Sequence, residues 1–201
     1  MTLSQQEISK LFNSLKVVVI PSFEGEIPAS ILERYPSKKR VRDHYTSRLA
    51  LIEALKSSKV KSYEDLKIEN HHHLVSLPQF IVSLTHTNTL AAAVTTDQEL
   101  IESVGIDLEA RNREMKTGIL KFFLREDDQI ENPLELWCLK EAAFKALSPL
   151  YHEEKQLVLK DICIRNDGSF ALDSKQGLSG YYQLRKEQGH YLALAIIVRT
   201  S

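Results

Sequence analysis

The chain has 201 residues, of which 43% are hydrophobic and 26% are charged, a composition typical of a globular protein long enough to bury a core. Its 26 Lys and Arg residues nearly cancel its 27 Asp and Glu residues, which argues against nucleic acid as the main partner. The two cysteines, Cys138 and Cys163, lack CxxC spacing. A disulfide framework is therefore excluded, and reduced thiols are expected.

The N-terminal residues do not follow the pattern of a secretion signal, which places a basic region before a long apolar one. The apolar run at residues 17–20 is too short to cross a bilayer. We therefore expect a soluble, cytoplasmic protein with no membrane partner.

In the first half of the chain, the spacing of apolar residues predicts helices over residues 4–15 and 40–55 and a strand over residues 16–21. Apolar runs at residues 80–86 and 90–95 are separated by a short polar stretch and predict a hairpin. Residues 103–109 predict a third strand of the same sheet.

The second half carries two predicted helices, over residues 113–124 and 133–147, with Pro133 in the first turn of the second one. Four strands follow, with tight turns at residues 166–168 and 187–189. These strands are predicted over residues 157–165, 169–172, 180–186 and 191–200. The helices and the antiparallel strands together predict an α+β fold, and the two halves have similar content without a repeat in residue identity.

Two carboxylates, Asp107 and Glu109, lie two positions apart on a predicted strand, so their side chains point to the same face. Oxygen ligands on a rigid strand suit Mg²⁺, which takes one or two carboxylates and leaves positions for water and phosphate. An isolated pair of this kind is more often a solvated strand edge. The pair needs further residues to indicate a site.

The predicted helix over residues 133–147 carries charged and aromatic residues at helical spacing. They are Trp137, Lys140, Glu141, Phe144 and Lys145. Glu141 is a candidate third carboxylate for a metal site, and the two lysines are candidates to neutralise phosphate oxygens. The alternative is a surface Lys–Glu pair beside a half-buried tryptophan, with Leu136, Leu139 and Ala143 as the packing stripe.

Two further groups of polar residues stand in the first half. His86 ends a predicted strand that also carries Ser83 and Thr85, and it is either a phosphate donor or a structural histidine. A basic cluster is either a solvated helix face or a grip for a phosphomonoester. It contains Lys38, Lys39, Arg40, Arg42 and Arg48. The adjacent histidines at residues 71–73 cannot converge on one ion and are predicted to lie in a loop.

Three stretches resemble, in order and spacing, the signature motifs of the 4′-phosphopantetheinyl transferase superfamily. They are SLTH at residues 83–86, VGIDLE at 104–109 and WCLKEAAFKAL at 137–147. The chain length and residues 38–55 are similar to the longer Sfp-type and enterobactin-synthetase-type members. The segment at residues 74–82 departs from the family pattern, because it lacks a glycine and a lysine.

The resemblance implies a pseudo-twofold monomer of two similar α+β subdomains with coenzyme A in the cleft between them. Residues 1–95 would form the adenosine and 3′-phosphate side, and residues 96–201 the metal-binding and catalytic side. The implied activity is Mg²⁺-dependent transfer of the 4′-phosphopantetheine group of coenzyme A to a serine of an apo acyl or peptidyl carrier protein. The products would be holo-carrier protein and adenosine 3′,5′-bisphosphate.

The resemblance also implies roles for individual residues. Asp107, Glu109 and Glu141 would bind Mg²⁺, and Glu141 would also serve as the catalytic base. The other implied catalytic residues are Lys145 and Lys140, and the implied cofactor-binding residues are His86, Thr85, Arg40 and Arg48. The expected partners are coenzyme A and the carrier protein.

Two other interpretations remain at this point. The first is a non-catalytic module of the same fold that binds coenzyme A or a carrier protein, although all three carboxylates are present. The second is an unrelated Mg²⁺-dependent phosphotransferase or nuclease, which would require a Gly-rich phosphate loop or a broad basic surface. The sequence contains neither feature.

Overall fold

The protein is described here by a computed structural model, which covers residues 3–32, 37–58, 60, 66–70, 72–174 and 177–199. Its helices are α1 (Gln5–Ser14), α2 (Ala29–Leu32), α3 (Lys38–Ser57), α4 (Thr117–Leu120) and α5 (Pro133–Leu147). Its strands are β1 (Lys16–Pro21), β2 (Ile68–Glu69), β3 (His73–Leu74), β4 (Ile81–His86), β5 (Leu90–Thr96), β6 (Ile101–Ala110), β7 (Ile162–Ile164), β8 (Ser169–Leu172), β9 (Ser179–Glu187) and β10 (His190–Val198).

The ten strands found in the described residues form two antiparallel sheets with the same topology. The first sheet has the order β1-β5-β4-β3-β2, and the second has the order β6-β10-β9-β8-β7. In each sheet the first strand pairs with the last strand of its half, and the others follow in reverse chain order. The long helix, α3 or α5, comes between the first and second strands of its half. The predicted α+β fold of two similar halves is confirmed.

The elements stack in the order helix, sheet, sheet, helix. Helix α3 packs on the first sheet through residues such as Leu51 and Leu55, and α5 packs on the second through residues such as Leu139 and Ala143. The sheets face each other over a third apolar cluster, which helix α1 also joins. Burial of these three clusters is the main stabilising contribution to the fold. No helix in the described ranges is long and apolar enough to cross a membrane.

Strand β6 has one face toward the core between the sheets and the other face toward helix α5. Ile106 and Leu108 point into the core between the sheets, so the alternating residues Gly105, Asp107 and Glu109 point to the other face. A Cβ atom at Gly105 would lie 1.9 Å from the carbonyl oxygen of Ala142 in α5. Only glycine permits so close an approach of strand and helix, which places α5 directly beside the carboxylates of β6.

The helix predicted over residues 113–124 is wrong in extent, because only Thr117–Leu120 is helical. Two side chains bind backbone groups that a longer helix would need. Lys140 Nζ donates to the carbonyl of Phe123 at 2.6 Å, and the amide of Arg125 donates to the Asp128 carboxylate at 2.9 Å. Such side-chain bonds compete with helical hydrogen bonds and end the helix.

The strand predicted over residues 157–165 is also shorter than expected. A 3₁₀ turn occupies Leu159–Asp161, and β7 begins at Ile162. The amide of Val158 donates to Asp161 Oδ2 at 3.2 Å, which favours the turn over an extended start. The remaining predicted strands and the helices over residues 4–15, 40–55 and 133–147 are present within a few residues of their predicted ends. The prediction that residues 103–109 join the sheet of β4 and β5 is wrong, because β6 pairs with β10 in the second sheet.

Three short elements were not predicted: α2, β2 and β3. The loop prediction for residues 71–73 is wrong at His73, which pairs with Glu69 and Ile81 in the first sheet. His72 lies in a turn, and His71 lies outside the described residues.

Candidate active site

Asp107 is the buried centre of a polar cluster beside α5. Its Oδ1 accepts hydrogen bonds from Lys145 Nζ at 2.8 Å and from Thr85 Oγ1 at 3.0 Å. Its Oδ2 is also buried and has no hydrogen-bond partner among the described residues. A buried carboxylate oxygen without a partner is costly, so this atom is placed to accept a ligand.

Lys145 connects α5 to β6 at this point. Besides its contact with Asp107, its Nζ donates to the carbonyl of Ile106 at 2.9 Å. The side chain is 28% exposed. The amine is therefore fixed in direction by its two acceptors, on a side chain that is only partly buried.

Glu109 lies two residues further along β6 and is held by two donors. Its Oε1 accepts from Trp137 Nε1 at 2.8 Å and from Arg113 Nη1. The Arg113 guanidinium also lies over the Trp137 ring, 5.4 Å from its centroid. The charge of Glu109 is thus balanced within the protein by Arg113.

Glu141 is in the electrostatic field of both β6 carboxylates. Burial raises the pKa of Glu141, and the negative charge of Asp107 raises it further, while Lys145 opposes the shift. The charge of Glu109 adds a smaller increase to that pKa. The three predicted acidic residues therefore do lie in one region, where their mutual repulsion is only partly compensated.

The acidic residues do not form a complete metal site as they stand. No group of three His, Cys, Asp or Glu side chains in the described ranges is placed to hold a metal ion. The orphaned Asp107 Oδ2 and the raised pKa of Glu141 are nevertheless two features that a bound cation would relieve. The oxygen-only donor set fits a hard divalent cation.

Lys140 does not join this cluster, contrary to the predicted stripe. Its side chain is fully buried, and its Nζ lies 2.6 Å from Asp128 Oδ2 and 2.6 Å from the carbonyl of Phe123. Burial lowers the pKa of the Lys140 amine, which Asp128 opposes. The stripe prediction assumed one solvated side, whereas α5 is enclosed on most of its surface. The predicted packing stripe of Leu136, Leu139 and Ala143 is fully buried.

The predicted cofactor-binding residues lie on the first half. His86 ends β4 with its side chain 47% exposed, and its Nε2 is 3.4 Å from Asp43 Oδ2 of α3. Arg40 is exposed on α3, and Arg48 is half-buried on the same helix. Thr85 is buried and uses its hydroxyl hydrogen on Asp107.

A cleft of about 300 Å³ lies next to Asp43, the residue that contacts His86. It is lined by Ser22, Lys39, Arg42, Asp43 and Asn88. The basic residues of α3 were predicted from the sequence, but Ser22, Asp43 and Asn88, which come from three separate parts of the chain, were not. No local pattern in the sequence indicates that these residues meet.

A second polar contact joins the two halves near the same place. His190 Nε2 lies 3.4 Å from Thr87 Oγ1 and 3.3 Å from Thr89 Oγ1. The β4–β5 turn is thereby bound to the start of β10. This contact was not predicted from the sequence either, because His190 and the threonines are about a hundred residues apart.

Residues 103–196 match the family model of the 4′-phosphopantetheinyl transferase superfamily. The matched span covers nearly the whole second sheet and α5, with Asp107, Glu109, Glu141 and Lys145. This span is similar to the superfamily, and the resemblance found in the sequence is confirmed at that level. The match supports a general role in phosphopantetheine transfer. A comparison with curated proteins found no match.

Proposed function

We propose that the protein transfers the 4′-phosphopantetheine group of coenzyme A to a serine of an apo acyl or peptidyl carrier protein. The observation that supports this most strongly is the position of Asp107. Its carboxylate lies where β4, β6 and α5 meet, with one oxygen held by Thr85 and Lys145 and the other oxygen unpartnered among the described residues. The products are holo-carrier protein and adenosine 3′,5′-bisphosphate.

Asp107 and Glu141 are the residues that would hold Mg²⁺, and Glu109 is the third candidate ligand once its contacts with Arg113 and Trp137 are exchanged. Bound Mg²⁺ would supply electrostatic stabilisation of the pyrophosphate oxygens of coenzyme A. One or two carboxylates are the usual protein share of such a site. The donor set of this cluster therefore matches the proposed cofactor.

Glu141 and Lys145 carry the proposed chemistry of the chain itself. The carrier serine oxygen forms a bond to the β-phosphorus, and the bond from that phosphorus to the bridging oxygen breaks. The serine proton passes to Glu141, whose raised pKa suits a general base. Lys145, fixed by Asp107 and Ile106, neutralises charge on the departing α-phosphate. Because Lys140 is buried against Asp128, we assign it no contact with phosphate.

Coenzyme A is proposed to place its adenosine 3′-phosphate against the first half. His86, Arg40 and Arg48 are the proposed ligands, and the cleft next to Asp43 is also lined by Lys39 and Arg42. Arginine suits this task because its guanidinium binds phosphate with two parallel donors. Thr85 contributes by orienting Asp107 through its hydroxyl.

We further propose the division into residues 1–95 for the adenosine side and residues 96–201 for the catalytic side. The protein is proposed to act as a cytoplasmic monomer of the Sfp-type or enterobactin-synthetase-type group. The presence of two similar halves in one chain supports the monomer.

Intact mass spectrometry of apo carrier proteins tests the proposal directly. Incubation with the protein, coenzyme A and Mg²⁺ is expected to add about 340 Da, the mass of one phosphopantetheine group transferred under metal catalysis. EDTA and the Glu141→Gln variant should both abolish the gain. If acyl and peptidyl carriers gain no mass although coenzyme A binds, the non-catalytic binding module replaces this proposal.

A further inference from the structure

The most deeply buried charged pair in the described part of the chain lies outside the proposed site. The Lys140 side chain is 0% exposed and the Asp128 side chain is 3% exposed, with 2.6 Å between Nζ and Oδ2. Burying two charges costs desolvation free energy, so apolar residues of similar size are often as stabilising or more so. The pair is therefore poorly explained by stability alone.

Asp128 uses both carboxylate oxygens to bind separate parts of the chain. Oδ2 accepts from Lys140 and from the amide of Arg125 at 2.9 Å, and Oδ1 accepts from the amide of Ile164 at 3.1 Å. The pair thus joins α5, the segment at residues 117–131 and strand β7. Lys140 adds a second anchor by donating to the carbonyl of Phe123.

A chain of contacts leads from this anchor to the acidic cluster. The Phe123 ring is fully buried and meets Trp137 edge to face, with 5.2 Å between ring centroids. Trp137 in turn donates to Glu109 Oε1 at 2.8 Å. Through Phe123, the segment at residues 117–131 therefore packs against the indole ring that donates a hydrogen bond to Glu109.

We propose that Lys140 and Asp128 are positioning residues: their ion pair fixes the segment at residues 117–131 on α5 and thereby sets the orientation of Trp137 and Glu109. This inference rests on the proposed function for its catalytic consequence only. Lys140 then acts by positioning other residues together with Asp128, and it does not contact the substrate.

The experiment compares Lys140→Met, Asp128→Asn and the double variant with the wild-type protein. Each single variant leaves a buried charge without its counter-ion and should lower kcat for phosphopantetheine transfer by about tenfold or more, with KM for coenzyme A little changed. The double variant removes both charges and should return to within about threefold of wild-type. If Lys140 instead contacted substrate, the double variant would be as inactive as Lys140→Met, which would overturn the inference.

Two measurements do not depend on catalysis. Trp137 is the single tryptophan of the chain, so its emission reports the indole position directly. The singles should shift the emission maximum and speed tryptic cleavage after the exposed Lys121, and the double variant should reverse both changes. Unshifted emission in both single variants would overturn the inference, whether or not the wild-type protein transfers phosphopantetheine. A wild-type protein that transfers no phosphopantetheine would count against the proposed function alone.

Discussion

Thr85 Oγ1 donates to Asp107 Oδ1 at 3.0 Å, and this hydrogen bond crosses from the first sheet to the second. Two residues earlier on the same strand, Ser83 Oγ accepts from the amide of Ile106 at 3.2 Å. Ser83 and Thr85 lie on the same face of β4, so this face is hydrogen-bonded to β6 at two neighbouring points. The orientation of the central carboxylate depends on a residue from the other half of the molecule.

Replacing Thr85 by Val tests this dependence. Val keeps the β-branched shape and removes the donor, so Asp107 Oδ1 retains only Lys145 among its described partners. We expect transfer to fall by about 10- to 100-fold, as for other residues that orient a ligand carboxylate. The measurement is kcat/KM at several Mg²⁺ concentrations.

Thr85→Ser is the matched control, because it keeps the hydroxyl and should keep most of the activity. If Val and Ser lower kcat/KM equally, the loss comes from packing of the methyl group, and the hydrogen bond has no role in positioning Asp107.

The contact of Gly105 with α5 yields a prediction on stability. In Gly105→Ala the new Cβ would lie 1.9 Å from the Ala142 carbonyl oxygen and 2.8 Å from the Ala146 amide nitrogen. Backbone on both sides cannot relax cheaply, so we expect a loss of unfolding free energy of about 3 kcal/mol or more. Urea unfolding at fixed pH measures it.

Gly118→Ala is the control for this change. Gly118 lies in α4, and a Cβ there would meet nothing within 4 Å. The substitution should be neutral or stabilise by roughly 0.4–1 kcal/mol through the unfolded state. Equal effects at the two glycines would mean that β6 and α5 separate readily, and the close approach would not define the site.

The part of the fold that follows local patterns was predictable from the sequence. Helix α5 has Pro133 in its first turn and ends where predicted, and the strands with apolar runs were found. Elements whose ends depend on side chains from distant parts of the chain were not predictable. The end of α4 depends on Lys140 and Asp128, which the periodicity of residues 113–124 does not reveal.

The candidate site divides in the same way. The spacing of Asp107 and Glu109 was enough to place both on one face of a strand, since period two is a property of the backbone. The direction of the Lys140 side chain was not predictable, because it is determined by the ion pair with Asp128, which the helical spacing does not show. The partners Thr85, Trp137 and Arg113 belong to three elements whose meeting depends on the packing of both sheets.

Glu141 links the acidic cluster to pH-dependent stability. The folded protein raises the pKa of Glu141 above its ordinary value of 4.5, so the charged form is disfavoured in the fold. The corresponding stability is present below pH 4.5 and is lost as the pH rises through the raised pKa. Without metal, Glu141→Gln should therefore have a higher Tm than wild-type at neutral pH, and the difference should shrink at acidic pH.

Calorimetry of both proteins in EDTA, from acidic to neutral pH, measures this difference. The same variant should be inactive in transfer, since it lacks the carboxylate base. Glu131→Gln, at an exposed position before α5, is the control and should leave the pH profile unchanged. A Glu141→Gln Tm that follows wild-type at every pH would contradict the electrostatic strain assigned to the cluster.

Phe122 is the most exposed large hydrophobic residue in the described part of the chain, at 63%, and it lies in the segment at residues 117–131, next to the buried Phe123. An exposed aromatic side chain near a proposed catalytic cluster is typical of a protein interface anchor. We therefore expect Phe122→Ala to raise KM for the carrier protein by about tenfold, with KM for coenzyme A unchanged. Leu100→Ala, at 60% exposure in the turn directly before β6, is the control and should change neither constant. An equal effect of the two substitutions on the carrier KM would remove Phe122 from the docking surface.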